Sequence, residues 1–356
     1  MRIVISNRVR LEGLDNTDPK HLEVIASLRE RFTYDNPVYW DARRFRRPCR
    51  LIPRRIELFE EDDHTGWCPR GALTEVLRIA SPLQPEVVDE TVFPSCTASV
   101  CDLDLRDYQT DSVNAIVAAR QGVLQAPTGS GKTVIAMALI ARLKTPTLIL
   151  VHTSILFEQT AARIREILGV EPGLIGSGHE DVRDVTVAMV QTLMRRDIAS
   201  LAGLFGCIIL DEAHHCPAET FKSVVQHFPA RFRVGLTATP TRKDRLHPVL
   251  FDTVGPIVHV VQEKALVMSG SLARTEVVAV TTAFKAWYRD DYQGLINRLV
   301  ANAARNEIVV DAIGRLHIAR SLVLTERVSH CDFLGDALLA KGMKVAKIHG
   351  QMQRGT

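Results

Sequence analysis

The sequence predicts an α/β protein built on a parallel sheet with helices on both faces. From about residue 101 to about residue 265, short apolar runs of strand length alternate with stretches whose apolar residues recur at helical spacing. A glycine-rich run, Ala126-Pro-Thr-Gly-Ser-Gly-Lys132-Thr133, falls at a strand-to-helix turn. An acidic run, Leu210-Asp211-Glu212-Ala213-His214, follows another buried strand. Ligands of open α/β sheets gather at that end of the strands.

In chain order, residues 2–5 and 9–11 open as strands. Leu22, Ile25, Leu28 and Phe32 then predict a helix over 19–32. Arg43, Arg44, Arg46, Arg47, Arg50, Arg54 and Arg55 follow, interleaved with Phe45 and close to Tyr39 and Trp40. That mixture suits contact with phosphates and stacking on bases. It also reads as a solvated edge balanced by Glu60-Glu61-Asp62-Asp63. Residues 1–100 make a small α+β domain. In the next stretch, 101–267, Gly122-Val-Leu-Gln125 and Cys207-Ile-Ile-Leu210 are buried parallel strands, and Val134 to Leu143 is a helix. Met268-Ser-Gly-Ser271 marks a break, and 292–318 reads as helical within a last domain, 268–356.

The glycine-rich run has the chemistry of a phosphate cradle formed by Pro127, Thr128, Gly129, Ser130, Gly131, Lys132 and Thr133. Gly129 and Gly131 let the backbone curl so that N–H groups point inward, and the next helix adds unpaired donors and its positive dipole end. Lys132 supplies a mobile charge for the β- and γ-phosphates, and the Thr133 hydroxyl suits octahedral Mg²⁺. Asp211 can hold that metal, Glu212 can reach an attacking water as general base, and His214 is placed to sense the γ-phosphate. The expected cofactors are ATP and Mg²⁺.

The chain has 356 residues and a net charge of +3, so a nucleic-acid role must rest on local patches. No apolar run is long enough to cross a bilayer, and the opening residues lack the apolar core of a signal peptide. The expectation is therefore a cytoplasmic protein whose seven cysteines are reduced thiols. Cys49 with Cys68, and Cys96 with Cys101, have no recognised zinc spacing.

With these motifs in order, the chain resembles the superfamily 2 helicases of the DEAH-lettered kind over roughly residues 101–350. The resemblance implies a RecA-like P-loop domain followed by part of a second RecA-like domain. It assigns Leu105-Arg106-Asp107-Tyr108-Gln109 to adenine contact, with Arg106 in the cofactor site and Gln109 as base reader. It assigns His152 to Gln159, and Gln191-Thr192, to the nucleic-acid backbone, and Thr237 and Thr239 to a coupling turn. Ser321-Leu-Val-Leu324 and Val345-Ala-Lys-Ile348 look like strands of the second lobe. Thr241-Arg242-Lys243-Asp244, with Gly255-Pro256, is similar to XPB-like motors, phage and bacterial relatives included. That similarity implies DNA, duplex favoured over RNA, faced by Arg242 and Lys243, although those two also read as a solvated turn. Phe32-Thr-Tyr-Asp-Asn-Pro37 and Pro69-Arg-Gly71 resemble the small first domain of such motors, which implies that Arg43, Arg44, Arg46 and Arg47 engage DNA.

The implied activity is that of an ATP-dependent DNA helicase or translocase. A motor subunit of a restriction or defence complex, with a nuclease or a repair subunit as partner, shares the pattern. A DNA-binding module with little turnover is the third reading. Relatives continue beyond the position of Thr356 with the residues that carry arginine fingers. The expectation is thus a chain that binds Mg-ATP and hydrolyses it poorly unless another chain supplies that half.

Overall fold

A computed structural model describes residues 1–96, 103–213, 223–240, 246–287, 291–315 and 320–350. The chain divides into two compact units, Met1–Ala273 and Arg274–Thr356.

The first unit opens with a five-stranded sheet. Its strands are β1 (Arg2–Ile5), β2 (Val9–Glu12), β5 (Glu60–Glu61), β6 (Thr65–Cys68) and β7 (Glu86–Asp89), in the order β5-β6-β2-β1-β7. A separate hairpin pairs β3 (Thr33–Asp35) with β4 (Arg55–Glu57). Helix α1 (Pro19–Arg31) begins where Asp18 accepts a hydrogen bond from the Lys20 amide and Pro19 supplies a preset φ. It buries Val24, Ile25 and Leu28. Leu22, expected on the same stripe, is exposed.

The main sheet has eight strands: β8 (Gln121–Gln125), β9 (Thr147–Val151), β10 (Gly173–Gly176), β11 (His179–Asp181), β12 (Val185–Met189), β13 (Cys207–Leu210), β14 (Phe232–Thr237) and β15 (Ile257–Val260). Their order is β11-β10-β12-β9-β13-β14-β8-β15, with every pair parallel except β10–β11. Because side chains alternate along a strand, the central strands β8, β9, β12 and β13 feed two cores. Leu124, Ile149, Ile209 and Val234 pack with the helices Asp107–Ala119, Lys132–Leu143 and Ser154–Leu168. Val123, Leu148, Ile208 and Leu210 pack with Val224, Phe228, Leu250 and Val254.

The two sheets are joined through polar groups that sequence reasoning did not single out. Arg70 and Arg233 are 4% and 1% exposed, and both bind backbone carbonyls. Arg70 donates to Ser6 O, Ala230 O and Arg231 O, and to the Gln121 side chain on β8. Arg233 donates to Thr253 O, Asn7 O, Val225 O and Phe228 O. Burial pushes the Arg70 guanidinium down to about 10 and that of Arg233 well below its usual value, with Arg70 also lowering Arg233. Nearby, Arg31 clasps Asp252 at 3.0 and 3.2 Å, and the Tyr34 hydroxyl donates to Asp252 at 2.5 Å. Leu246 and Val249 enter the apolar core of the first sheet.

Gly71 lies where the two parts meet most closely. A Cβ there would stand 2.4 Å from Phe251 O and 2.5 Å from Asp252 O. Both obstacles are backbone, so Gly71→Ala is expected to cost about 3 kcal/mol, read as a lower midpoint in thermal denaturation. An unchanged midpoint would show that the junction yields freely.

The second unit contains the helices Tyr292–Ala301, Ala303–Arg315 and Val328–Ala340, with a small core of Val310, Leu334 and Leu338. The expected single helix over 292–318 is broken at Asn302, whose extended backbone stops one helix while its side chain accepts from the Arg305 amide. Residues 316–319 lie outside the described residues. The strands expected at 321–324 and 345–348 do not form. A strand exists only through a ladder partner, and neither segment has one among the described residues. Leu322, Leu324 and Ile348 are all largely exposed.

Candidate nucleotide-binding site

The loop after β8 turns through two positive-φ glycines, Gly129 at 84° and Gly131 at 79°, before the helix starts at Lys132. Its entry is tied to the neighbouring strand, since Ala126 N donates to Thr237 O at 2.9 Å. Its far side is tied to the helix Asp107–Ala119, whose Tyr108 hydroxyl donates to Ser130 O at 2.9 Å. Pro127 and Thr133 are half-buried, Thr128 is exposed, and the buried Ser130 hydroxyl has no hydrogen-bond partner among the described residues. A cleft of about 440 Å³ opens here, lined by Arg106, Tyr108, Gln109, Gly129, Ser130 and Gly131 among others.

Gln109 lines this cleft, yet it is almost wholly buried. Its Oε1 accepts from the Arg106 amide at 3.1 Å, and its Nε2 would stand 2.8 Å from a Cβ on Gly131. The glutamine therefore buttresses the phosphate loop, and Gly131 is favoured there by its left-handed φ of +79°. Arg106 is exposed at the mouth.

The carboxylates lie one strand over from β14. Asp211 N donates to Leu150 O and Ala213 N donates to Leu236 O, each at 3.1 Å, so flanking strands fix the turn. Between these anchors Glu212 adopts a φ of +49°, a left-handed conformation uncommon outside glycine and often found at functional sites. Its Oε1 lies 3.6 Å from Lys132 Nζ, which also donates to Ala126 O at 3.3 Å. Burial, followed by the neighbouring Glu212, raises the Asp211 pKa above the ordinary carboxylate range. A desolvated pair of carboxylates with one lysine nearby suits a divalent cation, which Asp211 and the Thr133 hydroxyl would hold. His214 lies outside the described residues.

Thr237 is fully buried at the end of β14, opposite Gln125 in the ladder. Its hydroxyl donates to Thr239 O at 3.1 Å and accepts from the Thr239 amide at 3.2 Å. The turn from Thr237 to Thr239 thus abuts the glycine-rich loop through its own backbone. Arg242 and Lys243 lie outside the described residues.

The arginine-rich stretch is remote in sequence and spans the helix Pro37–Arg44 and the loop after it. Arg43, Arg44, Arg46 and Arg47 are exposed, and no carboxylate among the described residues pairs with any of them. The acidic run expected to balance them turns elsewhere, with Glu60 pairing with Arg8 and Glu61 with Arg29. Arg43 and Arg54 lie over Trp40, while Arg44 and Arg47 flank Phe45.

Residues 102–242 match the family described as type III restriction enzyme, res subunit. The chain is 36% identical over 177 residues to the DNA 3'-5' translocase XPB2 of Sulfurisphaera tokodaii, covering 50% of this chain and 39% of that protein. It is 33% identical over 151 residues to the probable helicase D10 of Escherichia phage T5, covering 38% of this chain and 33% of that protein. The chain therefore spans no more than 39% of either relative's length. The crystal structure of T4 UvsW matches with a TM-score of 0.56 at 17% identity, over 96% of this chain and 73% of that one, a likeness of fold. The chain is similar to superfamily 2 helicases of the XPB-like and phage kind, and its large parallel sheet is RecA-like. No helix among the described residues is long and apolar enough to cross a membrane.

Proposed function

We propose that this chain is an ATP-dependent DNA helicase or translocase using Mg²⁺. The approach of Lys132 to Glu212, from strands β8 and β13 on either side of β14, carries the reading. It sets a phosphate-seeking ammonium beside a carboxylate able to take a proton from water, with Asp211 adjacent for the metal. Bound Mg²⁺ would neutralise charge on the phosphates. Thr237 and Thr239, one residue from the loop by hydrogen bonding, are positioned to link nucleotide state to a bound strand. Arg106 and Gln109 border the nucleotide cleft, with His214 assigned to the γ-phosphate from the sequence alone. The test is ATP hydrolysis with duplex DNA, single-stranded DNA or RNA. Duplex-dependent turnover supports the reading, and turnover indifferent to nucleic acid counts against a DNA motor.

The exposed, carboxylate-free arginines around Trp40 and Phe45 support duplex engagement by the first domain, with Arg242 and Lys243 assigned the same partner from sequence. Replacing Arg43, Arg44 and Arg47 together by alanine is expected to weaken duplex affinity roughly 10- to 100-fold at moderate salt and to flatten its salt dependence. Fluorescence anisotropy across a salt series reads both quantities. An unchanged slope would return the stretch to a solvated edge. The match to a restriction-enzyme subunit over residues 102–242 also favours a second setting, a motor working beside a nuclease or another defence or repair subunit.

A further inference from the structure

The phosphate loop has a support that its motif does not contain. After β15, the helix Glu263–Met268 places Leu266 in the main core, and the chain then doubles back. Ser271 N and Leu272 N both donate to Leu266 O, at 2.9 and 3.0 Å, around Gly270 at a φ of +69°. This tight turn presents the Leu272 side chain to the loop. A Cβ on Gly129 would stand only 2.9 Å from Leu272 Cδ1. Leu272 also packs against the core beneath the sheet's helices.

Leu272 is absent from the lining of the 440 Å³ cleft, whereas Gly129, Ser130 and Gly131 all line it. A second cleft, of about 650 Å³, is lined by Arg106, Tyr108, Leu266, Ser269 and Ser271. Arg106 and Tyr108 border both, so the turn and the phosphate loop lie close together on either side of them. Leu272 thus stands behind the loop backbone and out of the space open to a ligand.

We propose that Leu272 is a positioning residue for the phosphate loop, backing Gly129 so that the loop's amides are preset to receive phosphate. The inference rests on the nucleotide-binding reading. A glycine-rich loop has large backbone entropy to lose on binding, and a fixed apolar contact at one of its glycines removes part of that loss beforehand. The contact lies immediately before the end of the first unit at Ala273.

The test measures affinity for a fluorescent ADP analogue in the full chain, with hydrogen exchange followed over residues 127–131. Leu272→Ala is expected to weaken nucleotide binding about 10-fold, to speed exchange in the loop, and to leave duplex DNA affinity unchanged. Leu272→Met, which restores the apolar bulk, is expected to recover most of the affinity; general destabilisation would instead speed exchange well beyond residues 127–131 and weaken duplex DNA binding as well. Unchanged affinity and exchange in Leu272→Ala, while Lys132→Ala loses binding, would overturn the proposal and leave the nucleotide site standing. Absence of nucleotide binding by the unsubstituted chain would overturn both.

Discussion

Glu212→Gln is expected to bind Mg-nucleotide nearly as well as the unsubstituted chain and to hydrolyse it about 10²- to 10⁴-fold more slowly. The amide keeps the shape of the side chain and its place in the turn. It cannot take a proton from water, and it removes the charge facing Lys132 at 3.6 Å. Because Asp211 N and Ala213 N hold the turn from either side, the substitution leaves the backbone arrangement in place. Loss of turnover with retained binding is the signature of a group acting on the reacting water. Phosphate release under saturating nucleotide and duplex DNA, beside a binding titration, separates the two effects. Turnover within a few-fold of the unsubstituted chain would move the proton-accepting role away from Glu212.

The largest expected effect on stability lies elsewhere. Arg233→Met should lower the thermal midpoint by roughly 10 °C or more, corresponding to about 3–5 kcal/mol. Methionine fills much of the volume but leaves the carbonyls of Thr253, Asn7, Val225 and Phe228 without their shared donor. Such buried acceptors cannot turn to water instead. Arg70→Met should act in the same direction, and the double substitution should cost less than the sum. Each guanidinium is buried within reach of the other's field, so removing one relieves the other. A shift below about 2 °C for Arg233→Met would mean that water enters the junction and takes over the donors.

The nucleotide cleft was legible because its chemistry is local. Seven neighbouring residues, Pro127 to Thr133, specify the glycine curl, the lysine and a hydroxyl suited to magnesium, and the apolar run before Asp211 dictates a strand that ends where ligands gather. The left-handed Glu212 was not legible, since its conformation is imposed by amides bound to Leu150 and Leu236 on neighbouring strands. The junction of the sheets was illegible for a related reason. Arg70 finds acceptors at Ser6 and at Ala230, on opposite sides of it in the chain, and no local pattern announces them. A signal was nevertheless present in Arg233, a lone charge within a strand whose every residue from Phe232 to Thr237 is buried. Asn302 shows the opposite failure. Apolar periodicity continues across it, and only the side chain's capacity to cap the next helix marks the break.

Arg70 and Arg233 grip main-chain oxygens, and this leaves a mark on what can vary. A carbonyl is the same in every amino acid, so the positions that receive these guanidiniums are unconstrained in side-chain identity by that contact. The contact itself leaves Ser6 free to vary, whereas Val225 and Ala230 are held to small apolar types by their place in the core. Constraint instead concentrates on the two arginines and on Gly71, where no atom beyond the backbone fits. An interface held in this way depends on the course of the backbone more than on the identity of the side chains that carry the carbonyls.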